Sequence, residues 1–240
     1  MNTLILSMAG LAASAGLALA DSHTTVRIGT EGAYPPWNMI NDDGEIDGSE
    51  RELGDELCAR AELTCEWVKN DWDSIIPNLV SGNYDAIMAG MSITAERDEV
   101  IDFTQAYTPP DPSNYVALSD DVDLEGGVIA AQVGTIQAAY VAESGATLVE
   151  FATPDETVAA VRNGEADAVL ADSSFLLPIA EQDADLMIVG PEVLLGDGVA
   201  MGLRESDGEM REKFDAAIGS MKADGSLNAL IEKWEVSSTW

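Results

Sequence analysis

Cysteine, histidine and basic residues are all scarce in this 240-residue chain, which contains two, one and eleven of them respectively. The single histidine, His23, stands outside any predicted element, so a tetrahedral zinc site lacks ligands. Neither a nucleophile elbow nor a phosphate loop occurs, and no catalytic set emerges. Against the eleven bases stand 44 acids, a formal charge of −33, which opposes nucleic acid or an anionic membrane as partner. The acids are scattered along the whole chain, as on a heavily solvated surface. Beyond residue 20 no apolar run approaches the roughly 20 residues needed to span a bilayer, so the body is expected to be soluble. No cofactor is expected.

What is present begins with Leu4 to Ala20, an uncharged run ending in Ala18-Leu19-Ala20 before Asp21. It reads as a secretory signal peptide over residues 1–20, although the usual basic start is missing. Cys58 and Cys65 fit export, because an isolated close pair in a secreted protein most simply forms a disulfide; two buried thiols are the alternative.

Short apolar strands alternate with helical stretches from Val26 onward, which predicts parallel α/β units. A second series of the same kind starts at Val128. The two are related: Asp73, Ile76, Leu79, Gly82, Asp85, Ala86, Ile87, Met88 and Ala89 align 82 residues ahead with Asp155, Val158, Val161, Gly164, Asp167, Ala168, Val169, Leu170 and Ala171. Either the chain carries an internal repeat or both stretches follow a generic helix-turn-strand pattern. A repeat makes Gly90 and Asp172 equivalent strand ends, where ligands of open α/β sheets bind. The stiff segment Tyr107-Thr108-Pro109-Pro110-Asp111-Pro112 marks a crossover between lobes. The expected lobes are 21–109 with 205–240, and 110–204, with hinge segments near 107–113 and 200–205.

Scarcity makes each base informative. Arg97 is the only one between Asn70 and Val161 and follows Gly90-Met91-Ser92, small and hydroxyl residues beyond a predicted strand end. Its guanidinium suits a carboxylate, or else pairs with Glu96 or Asp98 on the surface. Thr135 and Ile136 open a helix whose free N–H groups can receive an anion or simply start the helix. Asp172 can cap the next helix or face a ligand. Tyr34, Trp37 and Trp72 offer flat faces to a cleft or fill a core, and Glu31 and Glu50 would attract a cationic group.

Together these residues resemble the periplasmic amino-acid-binding proteins of ABC importers, in the polar amino-acid group. The resemblance spans about residues 25–235 and rests on Ile28 to Trp37, Asp71-Trp72-Asp73 with Ile76-Pro77, Asp85 to Thr94 with Arg97, Gly134-Thr135 and Asp167-Ala168-Val169. The cysteine pair is similar to that of the lysine/arginine/ornithine and histidine binders, and Glu31 to Asn38 to opine binders. The resemblance implies a periplasmic-binding-protein-like α/β fold, two lobes joined by a two-segment hinge with the ligand between them. It further implies that Arg97, with Ser92 and the backbone at Thr135 and Ile136, holds an α-carboxylate, and that Asp172 takes the α-ammonium. Tyr34, Trp72 and Gly90 would line the site, and Glu31 and Glu50 would read the far end of the ligand.

Departures from the family pattern include Gly48-Ser49-Glu50-Arg51, where Arg51 can neutralise Glu50, and Ile136 in place of a hydroxyl residue. A basic amino acid is the leading ligand, with an opine or a neutral amino acid as alternatives. A monomer that delivers to the importer's transmembrane subunits from the periplasm is expected. The rival from another class is a dehydratase of prephenate-like acids, for which Glu31 is the candidate general acid. A receptor domain is disfavoured, because no transmembrane or signalling segment follows Trp240.

Overall fold

A computed structural model describes residues 25–240; the signal peptide expected over residues 1–20 and His23 lie outside them. The first α/β series runs β1 (Thr25–Thr30), a hairpin of β2 (Ala33–Tyr34), β3 (Asn38–Ile40) and β4 (Ile46–Asp47), α1 (Ser49–Arg60), β5 (Thr64–Lys69), α2 (Ile75–Val80), β6 (Ala86–Ile87), α3 (Ala95–Asp98) and β7 (Asp102–Phe103). The second runs β8 (Ser113–Ala117), β9 (Val128–Gln132), α4 (Ile136–Glu143), β10 (Thr147–Phe151), α5 (Pro154–Arg162), β11 (Ala168–Asp172), α6 (Ser173–Gln182) and β12 (Met187–Val193). The chain closes with β13 (Gly202–Leu203), α7 (Gly208–Asp224) and α8 (Ser226–Trp234).

Two five-stranded sheets result, ordered β5-β1-β6-β13-β7 and β10-β9-β11-β8-β12. In each the first three strands are parallel and the rest antiparallel, so each sheet is the core of one α/β lobe. The strands are apolar on both faces because helices cover both. Ala86 and Met88 join one apolar cluster with Leu53, Leu57, Phe214 and Ile218 from α1 and α7, while Ile87 and Ala89 join another with Ile75 and Leu79 from α2. This two-residue alternation recurs in the second lobe, where Val169 faces Val158 and Phe175, and Ala168 and Leu170 face Val141.

The internal repeat extends to individual hydrogen bonds. Asp85 accepts a bond from Arg27 N at 3.0 Å and donates its own N–H to Arg27 O at 2.8 Å. Asp167 does the same with Val128, at 2.7 Å in both directions. Gly82 and Gly164, with φ of 79° and 74°, make the same left-handed turn into their strands. Each aspartate thereby registers its strand against the neighbour, Ile28 opposite Ala86 and Ile129 opposite Ala168.

One expected boundary differs. Gly202–Leu203 pairs with both β6 and β7, and Val199 already bridges Ser92 and Thr108, so the chain has joined the first lobe by Val199 and residues 202–203 belong to its sheet. We therefore propose that the second crossing lies between Val193 and Val199. The strand at 202–203 is only two residues long, and β8 is buried throughout.

Cys58 and Cys65 form a disulfide joining α1 to β5 across a separation of seven residues. So short a loop restricts the unfolded chain by roughly 2.5 kcal/mol. Replacing both cysteines by serine is therefore expected to lower stability in urea by about that amount and to leave ligand affinity unchanged. A change in affinity would show that the bridge reaches the cleft.

Candidate functional site

Four parallel strands deliver their carboxyl ends to the gap between the lobes. β1 ends before Glu31, β6 before Ala89-Gly90, β9 at Gln132 and β11 at Asp172. Around them lies a cavity lined by Glu31, Tyr34, Trp72, Gly90, Ser92, Arg97, Thr135, Ile136 and Asp172, nine of the ten residues singled out from sequence.

Arg97 belongs to the first lobe. It stands in α3, whose N-cap Thr94 accepts from the Arg97 backbone N–H at 3.2 Å. Its side chain donates to Ser92 O at 2.8 Å and to Gly134 O of the other lobe at 3.2 Å, not to Glu96 or Asp98. The guanidinium lies 5.3 Å over the Trp72 ring, and burial lowers its pKa to about 10, leaving it cationic at neutral pH. The result is a partly buried positive charge at a cavity wall with carbonyl partners only, an arrangement that favours an incoming anion. Nearby, α4 begins at Ile136, so first-turn N–H groups face the same space.

Asp172 stands on the second lobe, and its side chain does not cap α6. Instead it accepts from Tyr34 Oη at 2.9 Å, Gln137 Nε2 at 2.6 Å and Ser113 Oγ at 3.4 Å. Capping is done by Asp111, which accepts from Ser174 N at 3.1 Å. Burial raises the Asp172 carboxyl above its ordinary value, and burial together with Asp172 raises Asp111. A cation brought to Asp172 would relieve both.

Two expectations are corrected, and for Trp37 the core alternative holds. Glu50 is 1% exposed and lies behind the cavity wall, where its carboxylate accepts from Gly90 N at 2.7 Å, Asn38 Nδ2 at 2.8 Å and the Tyr107 hydroxyl. With both oxygens bonded to protein donors it organises the cleft edge and the crossover, and it does not line the cavity. Arg51 does not neutralise it, because Arg51 pairs with Asp55 at 2.8 Å and lies over Trp67. Trp37 is buried rather than cleft-lining, donating its Nε1–H to Ser174 Oγ at 2.8 Å.

Three lining residues were missed, Ala89, Gln132 and Gln137. Gln132 Nε2 donates to Glu31 Oε1 at 2.6 Å and to Ala152 O at 3.1 Å. Burial raises Glu31 to about 7, opposed by the Gln132 hydrogen bond and by Lys69. Including Tyr34 stacked on Phe175 at 4.7 Å, contacts from both lobes interlock around the cavity, so this is a closed conformation.

Two α/β lobes meeting over a cavity with a guanidinium on one side and a carboxylate on the other define the periplasmic-binding-protein class. The chain belongs to the bacterial extracellular solute-binding proteins, family 3, whose profile matches residues 26–237. A solved structure of a periplasmic His/Glu/Gln/Arg/opine family-binding protein from Silicibacter pomeroyi in complex with lysine is 72% identical, with a TM-score of 0.88, over 90% of this chain and all of that one. The histidine-binding periplasmic protein of Escherichia coli is 33% identical over 98% of this chain and 97% of its own length. The L-arginine-binding protein of Pseudomonas aeruginosa is 33% identical over 87% of each.

Proposed function

We propose that this chain is the periplasmic binding component of an amino-acid ABC importer and that it clamps a free basic amino acid, lysine foremost. Arg97 takes the α-carboxylate with Ser92 and the α4 N-terminus, Asp172 takes the α-ammonium, and Tyr34 and Trp72 flank the side chain. Glu31 reads the distal cation. The observation that carries this reading is that Arg97 and Asp172 belong to opposite lobes yet line one cavity. A zwitterion can satisfy both only when the lobes are closed, so it stabilises the closed state differentially, which is what a transport signal requires. The complex of the Silicibacter relative with lysine supports the choice of ligand.

Thermal shift against the twenty amino acids, ornithine and opines tests it. A ligand at 100 times its Kd adds about 2.7 kcal/mol, a rise in Tm of roughly 5–10 °C at this size. Lysine, arginine and ornithine are expected to give the largest shifts. A response confined to neutral amino acids would refute the basic ligand, and a response to none of them would refute amino-acid binding. Binding is read here as proceeding without turnover; an absorbance change on incubation with a cyclic diacid such as prephenate would instead make Glu31 a general acid.

A further inference from the structure

Trp37 and Ser174 meet across the lobe gap outside the cavity. Trp37 stands in the first lobe, 1% exposed, and its carbonyl accepts from Glu50 N at 2.9 Å, so the start of α1 holds its backbone. Its indole Nε1–H donates at 2.8 Å to Ser174 Oγ in the first turn of α6. An indole is a donor only, so the Ser174 oxygen accepts and its own hydrogen is free for another partner. That hydrogen goes to Asp111 Oδ2 at 2.6 Å, the oxygen that also accepts from Ser174 N at 3.1 Å. Asp111 belongs to the stiff crossover, where Pro112 O accepts from Ser173 N at 2.7 Å. Ser174 and Asp111 are each 7% exposed, so a buried chain of bonds runs from the first lobe through α6 of the second to the crossover.

Tyr34 with Asp172, Arg97 with Gly134 and Gln132 with Glu31 also cross between the lobes, but each pair has at least one member in the cavity wall, where a bound molecule competes for it. Trp37, Ser174 and Asp111 do not line the cavity, so their bonds survive when it fills. We propose that the Trp37–Ser174–Asp111 chain is a closure latch, which raises affinity for every ligand by the same factor without touching any of them. This rests on the reading of the chain as an amino-acid binder that closes on its ligand, and it adds a source of affinity that is blind to the ligand side chain. Ser174 and Asp111 are tied together by two bonds on the second-lobe side, so opening falls on the single bond from Trp37. Apparent affinity scales with the population competent to hold the ligand, and a bond completed on closure enlarges that population for all ligands alike. Trp37 is thus a positioning residue that acts on the ligand through the lobes.

The test is calorimetric titration and stopped-flow binding of the full chain with L-lysine and with L-norleucine, which has the same length without the ammonium. Trp37→Phe keeps an aromatic ring and loses the N–H. The expected result is an affinity lower by about 3- to 10-fold for both ligands, the effect of one net hydrogen bond, carried by faster dissociation with the association rate within about twofold of wild type. Ser174→Ala breaks the same bond, so the double variant should bind no more weakly than the weaker of the two single ones. Unchanged affinity, a loss for one ligand only, or additive losses in the double variant would overturn the latch. Should Ser174→Ala melt early, Trp37→Phe decides alone, on the equality of the two losses and on the dissociation rate. Wild-type protein that binds neither amino acid would refute the binding function itself, a result distinct from variants that match a wild type that binds.

Discussion

Arg97→Ala is expected to abolish measurable ligand binding while the melting temperature stays within about 2 °C of the parent. The guanidinium is partly buried, lies over Trp72 and is bonded only to carbonyl oxygens, so no carboxylate of the fold loses a hydrogen bond by its removal. Capping of α3 survives, because Thr94 accepts from the backbone N–H of residue 97. The bound α-carboxylate, by contrast, would be buried without its counter-charge. Removing one partner of such a pair costs about 2–5 kcal/mol, a factor of roughly 30 to 5,000 in Kd. Arg97→Lys should recover only part of this, since a lysine ammonium restores the charge without the planar fork that spans two carboxylate oxygens and bonds Ser92 and Gly134 together. Titration calorimetry paired with a circular-dichroism melt separates binding from folding. Affinity within threefold of wild type in the alanine variant would remove Arg97 from the site, and with it the mechanism of closure.

The place of Arg97 at the cavity wall was legible in the sequence because cations are rare in this chain and its neighbourhood is built of small residues, so an isolated base beyond a strand end stood out. The lobes were legible for a related reason: the Gly-x-x-Asp-Ala turn occurs twice, and in both places the aspartate locks a strand to its neighbour by the same two bonds. Glu50 was misjudged because its fate depends on Asn38, Gly90 and Tyr107, up to 57 residues away, and nothing local distinguishes a carboxylate with three internal donors from one facing a ligand. Gln132 and Gln137 were overlooked because an uncharged amide in an apolar strand or a first helical turn carries no compositional signal. Their meaning comes from Glu31 and Asp172, 101 and 35 residues away. One clue was available, since Gln132 ends a parallel strand as Asp172 does, the position from which open α/β sheets reach their ligands. The pairing of Gly202–Leu203 within the first sheet was not legible, because an apolar run predicts a strand without saying which sheet it enters.

Lowering the pH is expected to strengthen the ligand-free fold and weaken lysine binding together, with Glu31 responsible for the difference between ligands. Burial raises its carboxyl from 4.5 to about 7, so across that interval the folded chain holds a proton that the unfolded chain has released. Stability contributed by the protonated form is complete below the lower value and is lost as pH rises through the upper one, roughly 3 kcal/mol at most. Asp172 and Asp111, also raised by burial, act in the same direction. Ligand binding has the opposite sign. A distal ammonium favours the Glu31 carboxylate, so lysine must expel the proton and its affinity should fall up to about tenfold per unit below pH 7, roughly 30-fold at pH 5.5. The other charges acting on Glu31 are Lys69, Asp71 and Asp155, of which Lys69 favours the carboxylate and the two aspartates oppose it. Norleucine separates the contributions, because it meets Arg97 and Asp172 but brings no charge to Glu31, so its affinity should track Asp172 alone. Calorimetry from pH 5.5 to 8 on wild type and Glu31→Gln measures both. In the glutamine variant the lysine and norleucine profiles should become parallel and the pH dependence of the ligand-free melt should flatten. A lysine profile that is unchanged by this substitution would place the distal cation away from Glu31.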